Sequence, residues 1–364
     1  MRILVTGFTA NYGGVESLVM GYYREMKKLD DALVFDLLGY ADEPAYREEI
    51  ARLGGKVYTV PSPKHAGHRK ALKEFFHVHG GEYDALWCNK CDLHDIGYLQ
   101  AARSCIPKRI LHAHSSRLNY DGVRMWLFGF LHRVHKAQAS ACATDLWACS
   151  DWAAEWMFPR HKFSDVRFVP NAIRLETFTF DGEARQAYRD QLSVSGTVYG
   201  CVGRLNENKN IAFALRAFRH VWEQQRDSYL LVVGTGELEA AHKAEAAAMP
   251  CKNNVIFLGM RQDVPQLLQA MDCLLMPSLF EGFPVAPIEA QAAGLPVFAA
   301  SDGITPQARL TDLFHFLPLS LGPEGWAEQI LKADLARKDC LGELREKGFD
   351  ITAAAQQLLD AFRQ

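Results

Sequence analysis

Short runs of β-branched and other apolar residues recur along this chain, each followed by a stretch with the spacing of an amphipathic helix. The runs fall at 3–6, 33–37, 57–60, 85–87, 109–113, 146–149 and 167–169. A strand followed by a helical crossover pairs in parallel with the next strand, and repetition of that unit builds an α/β sheet. After a polar stretch at 181–195 the rhythm starts again, with strands expected at 197–202, 229–233, 255–258, 273–276 and 297–300. A chain of 364 residues also exceeds what one hydrophobic core commonly serves. Two α/β units in series are therefore expected, joined near Pro170 and Asn171, where a strand running into Pro-Asn stops. The cleft between such units is the expected site. At the far end Ile351, Ala355, Leu358, Leu359 and Phe362 share one helical face, which needs a surface to cover it.

Composition removes several function classes. A hydrophobic fraction of 49% and a charged fraction of 23% are those of a packed globular protein. A net charge of −3 argues against broad nucleic-acid binding. Met1 leads directly into an apolar strand and a glycine turn, without a signal peptide's basic start and long apolar core, so the mature chain is expected to begin here. The nearest approach to a membrane span, 125–131, is short and flanked by Arg124 and Arg133. Nine scattered cysteines suit a reducing compartment, and a cytoplasmic location is expected. Cys88 and Cys91, with His94, have no second cysteine pair to complete a zinc site, so they read as core or helix-start residues and no metal is expected.

Four motifs carry chemistry. Glu281-Gly282-Phe283-Pro284-Val285-Ala286-Pro287-Ile288-Glu289 follows an expected strand and opens a helix. Gly282 allows close backbone approach, Pro287 suits a first helical turn, and free amides there would face an anion such as a diphosphate. A carboxylate accepts two hydrogen bonds side by side, so Glu281 suits a sugar hydroxyl pair and Glu289 a ribose. An acidic surface loop with a helix-start glutamate is the plainer alternative. Gly203-Arg204-Leu205-Asn206-Glu207-Asn208-Lys209-Asn210 puts two cations on a strand-to-helix loop, before a helix whose face is Ile211, Leu215, Phe218 and Trp222. Loops at the carboxyl ends of parallel strands bind ligands, and Arg204 and Lys209 would stabilise a departing diphosphate. A solvated basic turn is the alternative. Gly13 and Gly14 precede a helix bearing Leu18, Met20 and Tyr22, but their order is not the dinucleotide G-x-G-x-x-G fingerprint. His112 and His114 end the strand at 109–113 on one face, His114 nearer the loop and hence the better candidate to bond a sugar or acceptor hydroxyl.

Together these residues resemble the family-4 retaining glycosyltransferases of GT-B fold, especially the branch that builds bacterial exopolysaccharides and capsules. The resemblance spans nearly the whole chain and includes Gly13-Gly14-Val15-Glu16, Ala113-His114-Ser115, Ala148-Cys149-Ser150, Val169-Pro170-Asn171, Val202-Gly203-Arg204-Leu205, Asn208-Lys209-Asn210, and Glu281-Gly282-Phe283-Pro284 with Glu289-Ala290. It implies an acceptor-binding Rossmann-like domain at 1–170, a nucleotide-sugar-binding one at 171–349, and a final helix at 350–364 returning to the first. It implies that Arg204 and Lys209 hold the diphosphate and Glu289 the ribose. Glu281, with the amides of the Gly282-Phe283-Pro284-Val285 turn, would hold the transferred sugar, and His114 would lie near sugar and acceptor. Gly13 and Gly14 join the donor-binding set. Where the family has glycine after Pro-Asn this chain has Ala172.

The implied reaction moves a hexose or N-acetylhexosamine from a nucleotide-diphosphate sugar, expected to be a UDP-sugar, to a glycan or polyprenyl-diphosphate-linked sugar. It proceeds with retention and requires no cofactor. Cations and aromatics in the segment 117–136, among them Arg124, Trp126, Phe128, Phe130, Arg133 and Lys136, suggest peripheral contact with the inner face of the cell membrane; a packed helix with solvated ends is the alternative. A nucleotide-sugar epimerase would use the same donor site without an acceptor, and a non-catalytic nucleotide-sugar-binding protein would never turn over. The missing glycine fingerprint disfavours a nicotinamide oxidoreductase.

Overall fold

The computed structural model describes residues 1–41, 43–118 and 122–364. The chain divides into two compact units, Met1–Ala172 with Ile351–Gln364, and Ile173–Asp350. In the first, strands β1 (Arg2–Thr6), β2 (Val34–Gly39), β3 (Val57–Thr59), β4 (Ala85–Lys90), β5 (Lys108–Ala113), β6 (Asp145–Ala148) and β7 (Val166–Phe168) form one sheet in the order β3-β2-β1-β4-β5-β6-β7. In the second, β8 (Val198–Val202), β9 (Tyr229–Val233), β10 (Val255–Gly259), β11 (Cys273–Met276), β12 (Val297–Ala300) and β13 (Phe314–Leu317) run β10-β9-β8-β11-β12-β13. Every named pairing in both sheets is parallel. Each unit is thus a Rossmann-like parallel sheet, as a GT-B fold requires.

Parallel strands covered on both faces bury nearly every side chain, and so read in the sequence as continuous apolar runs. All twelve expected strands are present. β13 is an addition to them, a four-residue edge strand whose apolar run is broken by His315, its ring stacked on Phe298 at 5.1 Å. The stretch 181–195, read as polar connection, contains the helix Gly182–Leu192. Asp181 caps it by accepting from the amides of Glu183 and Ala184. Its docking face is ionic, with Arg185 and Arg189 reaching Asp272 at 2.6 and 3.3 Å, so hydrophobic periodicity does not reveal it.

The closing helix, Ile351–Arg363, packs on the first helix, Gly14–Leu29, and its apolar face enters the core of the first unit. Phe362 lies edge-on to Trp87 and Trp147, with ring centroids 5.4 and 5.1 Å away. Arg363 meets Asp30 at 2.7 Å. Leu358 is buried in this interface, and Leu358→Ala is expected to cost about 2 kcal/mol of stability, read as a lowered urea midpoint with unchanged slope. A midpoint equal to wild type would show that the helix contributes little to that core. No described helix is long and apolar enough to cross a membrane.

In each sheet the chain winds outward from one central strand and then jumps to that strand's other side. The first sheet reverses between β1 and β4 and the second between β8 and β11. Loops leaving the carboxyl ends of two such neighbours diverge to opposite faces of the sheet and leave a crevice for ligands.

Candidate active site

The loop after β8 is forced into shape by close backbone packing. Gly203 has φ +148° and Gly234, after β9, has φ +129°. A Cβ on Gly234 would lie 2.0 Å from the Gly203 carbonyl oxygen, and one on Gly236 would lie 2.3 Å from that of Leu205, so neither position accepts a side chain. Beyond this crossing, the Asn206 side chain accepts from the amide of Lys209 at 3.1 Å and starts a single 3-10 turn. Asn208 then holds the loop after β11, accepting from Leu279 N through its carbonyl at 2.8 Å and from Phe280 N through its side chain at 3.0 Å. Asn210, in the left-handed region at φ 51°, donates to the Pro277 carbonyl at 3.1 Å. The two loops at the β8/β11 reversal are thus stitched together by asparagines.

This stitching sets Lys209 against Glu281, Nζ to Oε1 at 2.7 Å, with the two side chains only 19% and 14% exposed. A pair this far from water is positioned and charged without being quenched by solvent. Arg204 stands differently. Its guanidinium faces Glu237 at 3.3 Å, and both side chains are more than half exposed, so that contact contributes little to stability and yields readily to another anion.

Glu289 lies in the first turn of the short helix Ala286–Ala292. Part of its surface stays accessible, yet its carboxyl sits deep, and desolvation pushes its pKa up to about 7. Among the described residues no cation or hydrogen-bond donor meets it. The helix beneath it is fixed rigidly. Gln291 is fully buried; it donates to the carbonyls of Pro287 and Ala308 and accepts from the amides of Leu310 and Thr311 and from the Thr311 hydroxyl. Phe283 is buried and stacks on Phe349 at 5.4 Å, anchoring the turn Gly282-Phe283-Pro284-Val285 that leads into the helix. An unpartnered carboxylate on a clamped helix is a preformed acceptor for ligand hydroxyls.

Gly13, Gly14 and His114 belong to the first unit. Gly13 is the N-cap of the helix Gly14–Leu29, and a Cβ on it would meet Glu16 Oε2 at 2.6 Å; space beside Gly14 is open. Glu16 ties down the loop after β1 by accepting from both the amide and the hydroxyl of Thr9. Gly7, φ +103°, faces Asn89 at the β1/β4 reversal, where a Cβ would lie 2.4 Å from the Asn89 carbonyl oxygen. The Asn89 amide nitrogen donates to the carbonyls of Thr6 and Trp87, which leaves its Oδ1 turned to His114 Nε2 at 2.8 Å. His114 therefore carries its proton on Nε2 and presents Nδ1 as an acceptor. Burial lowers its pKa to about 3, so the ring is neutral at physiological pH. His112 is fully buried, takes a hydrogen bond from Trp87 Nε1 at 3.2 Å and stacks on that ring. Cys88 is buried and Cys91 exposed, and no group of residues able to hold a metal ion occurs among the described residues.

Asn206, Asn208, Asn210, Gln291 and Asn89 were not among the residues assigned chemistry from the sequence. Three asparagines at alternate positions in one loop were the available signal, since asparagine is the side chain that most readily completes backbone turns.

Residues 196–333 match the family model described as glycosyl transferases group 1. Over 99% of this chain and 96% of its own length, the putative glycosyltransferase EpsF of Bacillus subtilis is 31% identical. The chain belongs to the group 1 glycosyltransferases. A shorter match, 33% identical over 37% of this chain and 36% of the relative, is to an Escherichia coli UDP-Gal:alpha-D-GlcNAc-diphosphoundecaprenol alpha-1,3-galactosyltransferase. Among solved structures, Anabaena Alr3699/HepE in complex with UDP-glucose superposes with a TM-score of 0.74 at 20% identity, covering 99% of this chain and 95% of that one, a likeness of fold. As a group 1 glycosyltransferase, this protein carries its Lys209–Glu281 pair and Glu289 inside the segment that the family model spans.

Proposed function

We propose that this glycosyltransferase is a retaining, family-4 enzyme that transfers a hexose or N-acetylhexosamine from a UDP-sugar to a glycan or polyprenyl-diphosphate-linked sugar. The observation that carries the reading is the largely buried Lys209–Glu281 pair on the same stitched loops that lead to the unpartnered carboxyl of Glu289. Glu289 accepts both ribose hydroxyls. Lys209 and Arg204 stabilise the negative charge that grows on the diphosphate as the bond to the anomeric carbon breaks. Glu281 orients Lys209 and accepts from hydroxyls of the transferred sugar, whose other side is met by the Gly282-Phe283-Pro284-Val285 turn. It is not assigned a covalent role, because a nucleophile held by a lysine ammonium at 2.7 Å is a weakened one. Attack on the leaving-group face then gives retention.

Gly13 and Gly14 approach the donor by backbone, and His114 accepts from a hydroxyl of sugar or acceptor through Nδ1. No metal or organic cofactor takes part on this reading. EpsF and the diphosphoundecaprenol-directed galactosyltransferase support a role in bacterial surface polysaccharide assembly, exopolysaccharide or capsule, in the cytoplasm at the inner face of the membrane.

The test is a thermal-shift screen of UDP-, GDP- and ADP-sugars, since a ligand that binds only the folded protein raises its melting point. A UDP-sugar is expected to raise it by the largest amount, and incubation with that donor alone should leave its sugar stereochemistry unaltered. A shift with GDP- or ADP-sugars only would reject the uridine assignment. Epimerised product from donor alone would reject transfer as the activity.

A further inference from the structure

We infer that the outward face of the helix Gly122–Cys142 docks the protein on an anionic lipid bilayer surface. The inward face of this helix is fully used. Phe128 stacks on His94 at 4.4 Å, His132 accepts from Leu93 N and stacks on Trp156 at 4.0 Å, and His135 bonds the Leu93 carbonyl. These residues stand at helical spacing, and Ala139 continues their row. The opposite row, Val123, Leu127, Phe130 and Val134, has the same spacing and is exposed throughout, with Phe130 at 63% and the adjoining Trp126 at 79%. Apolar residues scattered singly over a surface need no explanation, but a continuous stripe on one helix does.

The charges say what covers it. Residues 122–142 contain no aspartate or glutamate, while the chain as a whole is net negative. Arg124 flanks the stripe on one side and Arg133 on the other, and neither forms an ion pair among the described residues. Arg133 continues into a shallow groove shared with Lys136 and Arg160, where Lys136 donates to the Glu155 carbonyl. An apolar stripe bordered by cations matches the acyl boundary and phosphate layer of an anionic bilayer together. A second copy of this chain fits less well, because a twofold contact through the stripe would gather four arginines at one apolar interface to which this helix brings no carboxylate. This inference deepens the acceptor half of the proposed function but rests on the helix alone, so vesicle binding and donor binding succeed or fail separately. Of the segment 117–136 read from the sequence, 119–121 lie outside the described residues.

The experiment is co-sedimentation of the full chain with vesicles of phosphatidylcholine mixed with phosphatidylglycerol, and with phosphatidylcholine alone. Binding is expected to the mixed vesicles, to weaken with added salt, and to blue-shift the fluorescence of Trp126. The double variant Trp126→Ser, Phe130→Ser should lose about tenfold or more in partitioning. Arg124→Glu with Arg133→Glu should lose a comparable amount, roughly fivefold per cation removed from the anionic surface. Because all four side chains are exposed, melting temperature and donor-induced shift should match wild type in both variants. Wild-type protein that ignores mixed vesicles, or variants that bind them undiminished, would overturn the inference. So would a dimer in solution that the apolar variant disperses.

Discussion

Lys209→Ala is expected to lower turnover about a hundredfold at saturating donor, with a smaller change in donor affinity. The lysine ammonium is held at 2.7 Å from Glu281 and mostly out of water, so it needs no reorganisation when charge develops on a departing diphosphate. Losing one preorganised charge of this kind raises a barrier by about 3 kcal/mol. Lys209→Arg should recover only part of the loss, since the lysine stem lies against Gly203 and its ammonium meets Glu281 at 2.7 Å, and a longer, planar guanidinium places its charge differently. Arg204→Ala should also slow turnover, and the double variant should be less impaired than the product of the singles, because both cations serve one phosphate group. Glu237→Ala is the control. Its contact with Arg204 is exposed, worth about 0 to 1 kcal/mol, and its removal should leave rates within a few fold. A folded Lys209→Ala protein that turns over within a few fold of wild type would reject the proposed role of this loop.

That loop also marks where sequence reasoning reaches its limit. Arg204, Lys209, Glu281 and Glu289 stand out because charged residues beside glycines at strand ends are few and chemically suggestive. Parallel strands such as Cys273–Met276 stand out because burial on both faces leaves an uninterrupted apolar run. Neither signal reveals how the charges are arranged. Lys209 and Arg204 look equivalent in the sequence, yet one faces a partly buried glutamate and the other an exposed one. The difference comes from Asn208 and Asn210, whose hydrogen bonds cross from one loop to the next at residues 277–280, far away in sequence. Long-range polar staples have no periodicity, so pattern cannot show them. The same reason hides the helix Gly182–Leu192, held by arginines on Asp272, and the Gln291 clamp beneath Glu289. Apolar faces announce themselves by repetition; polar ones act singly.

Glu289 offers the clearest separation of function from stability. Its pKa is pushed up to about 7 by desolvation, so in the range between an ordinary carboxyl value and about 7 the folded protein holds a proton that the unfolded chain has released. Stability is therefore greatest below that range and declines as pH rises through it. Ionised Glu289 costs the ligand-free protein on the order of 3 kcal/mol, and Glu289→Gln, which keeps shape and removes the charge, should recover about 1 to 3 kcal/mol at pH above 7 and almost nothing in mild acid. Donor binding should respond in the opposite sense. Two ribose hydroxyls donating to an ionised carboxylate form charge-assisted hydrogen bonds worth about 1.5 to 3 kcal/mol each. Wild-type affinity for a UDP-sugar should then strengthen as pH rises through about 7. Glu289→Ala should bind roughly a hundredfold more weakly above that pH, with turnover at saturation changed much less, because the ribose contact is made equally in ground and transition states. Melting curves and calorimetric titrations of wild type and both variants across this pH range decide the matter. If Glu289→Gln gains stability at high pH but donor affinity stays flat and equal to wild type, the buried charge is real and the ribose lies elsewhere. If affinity falls but stability does not rise, the carboxylate meets the donor while other groups in the folded protein compensate its burial.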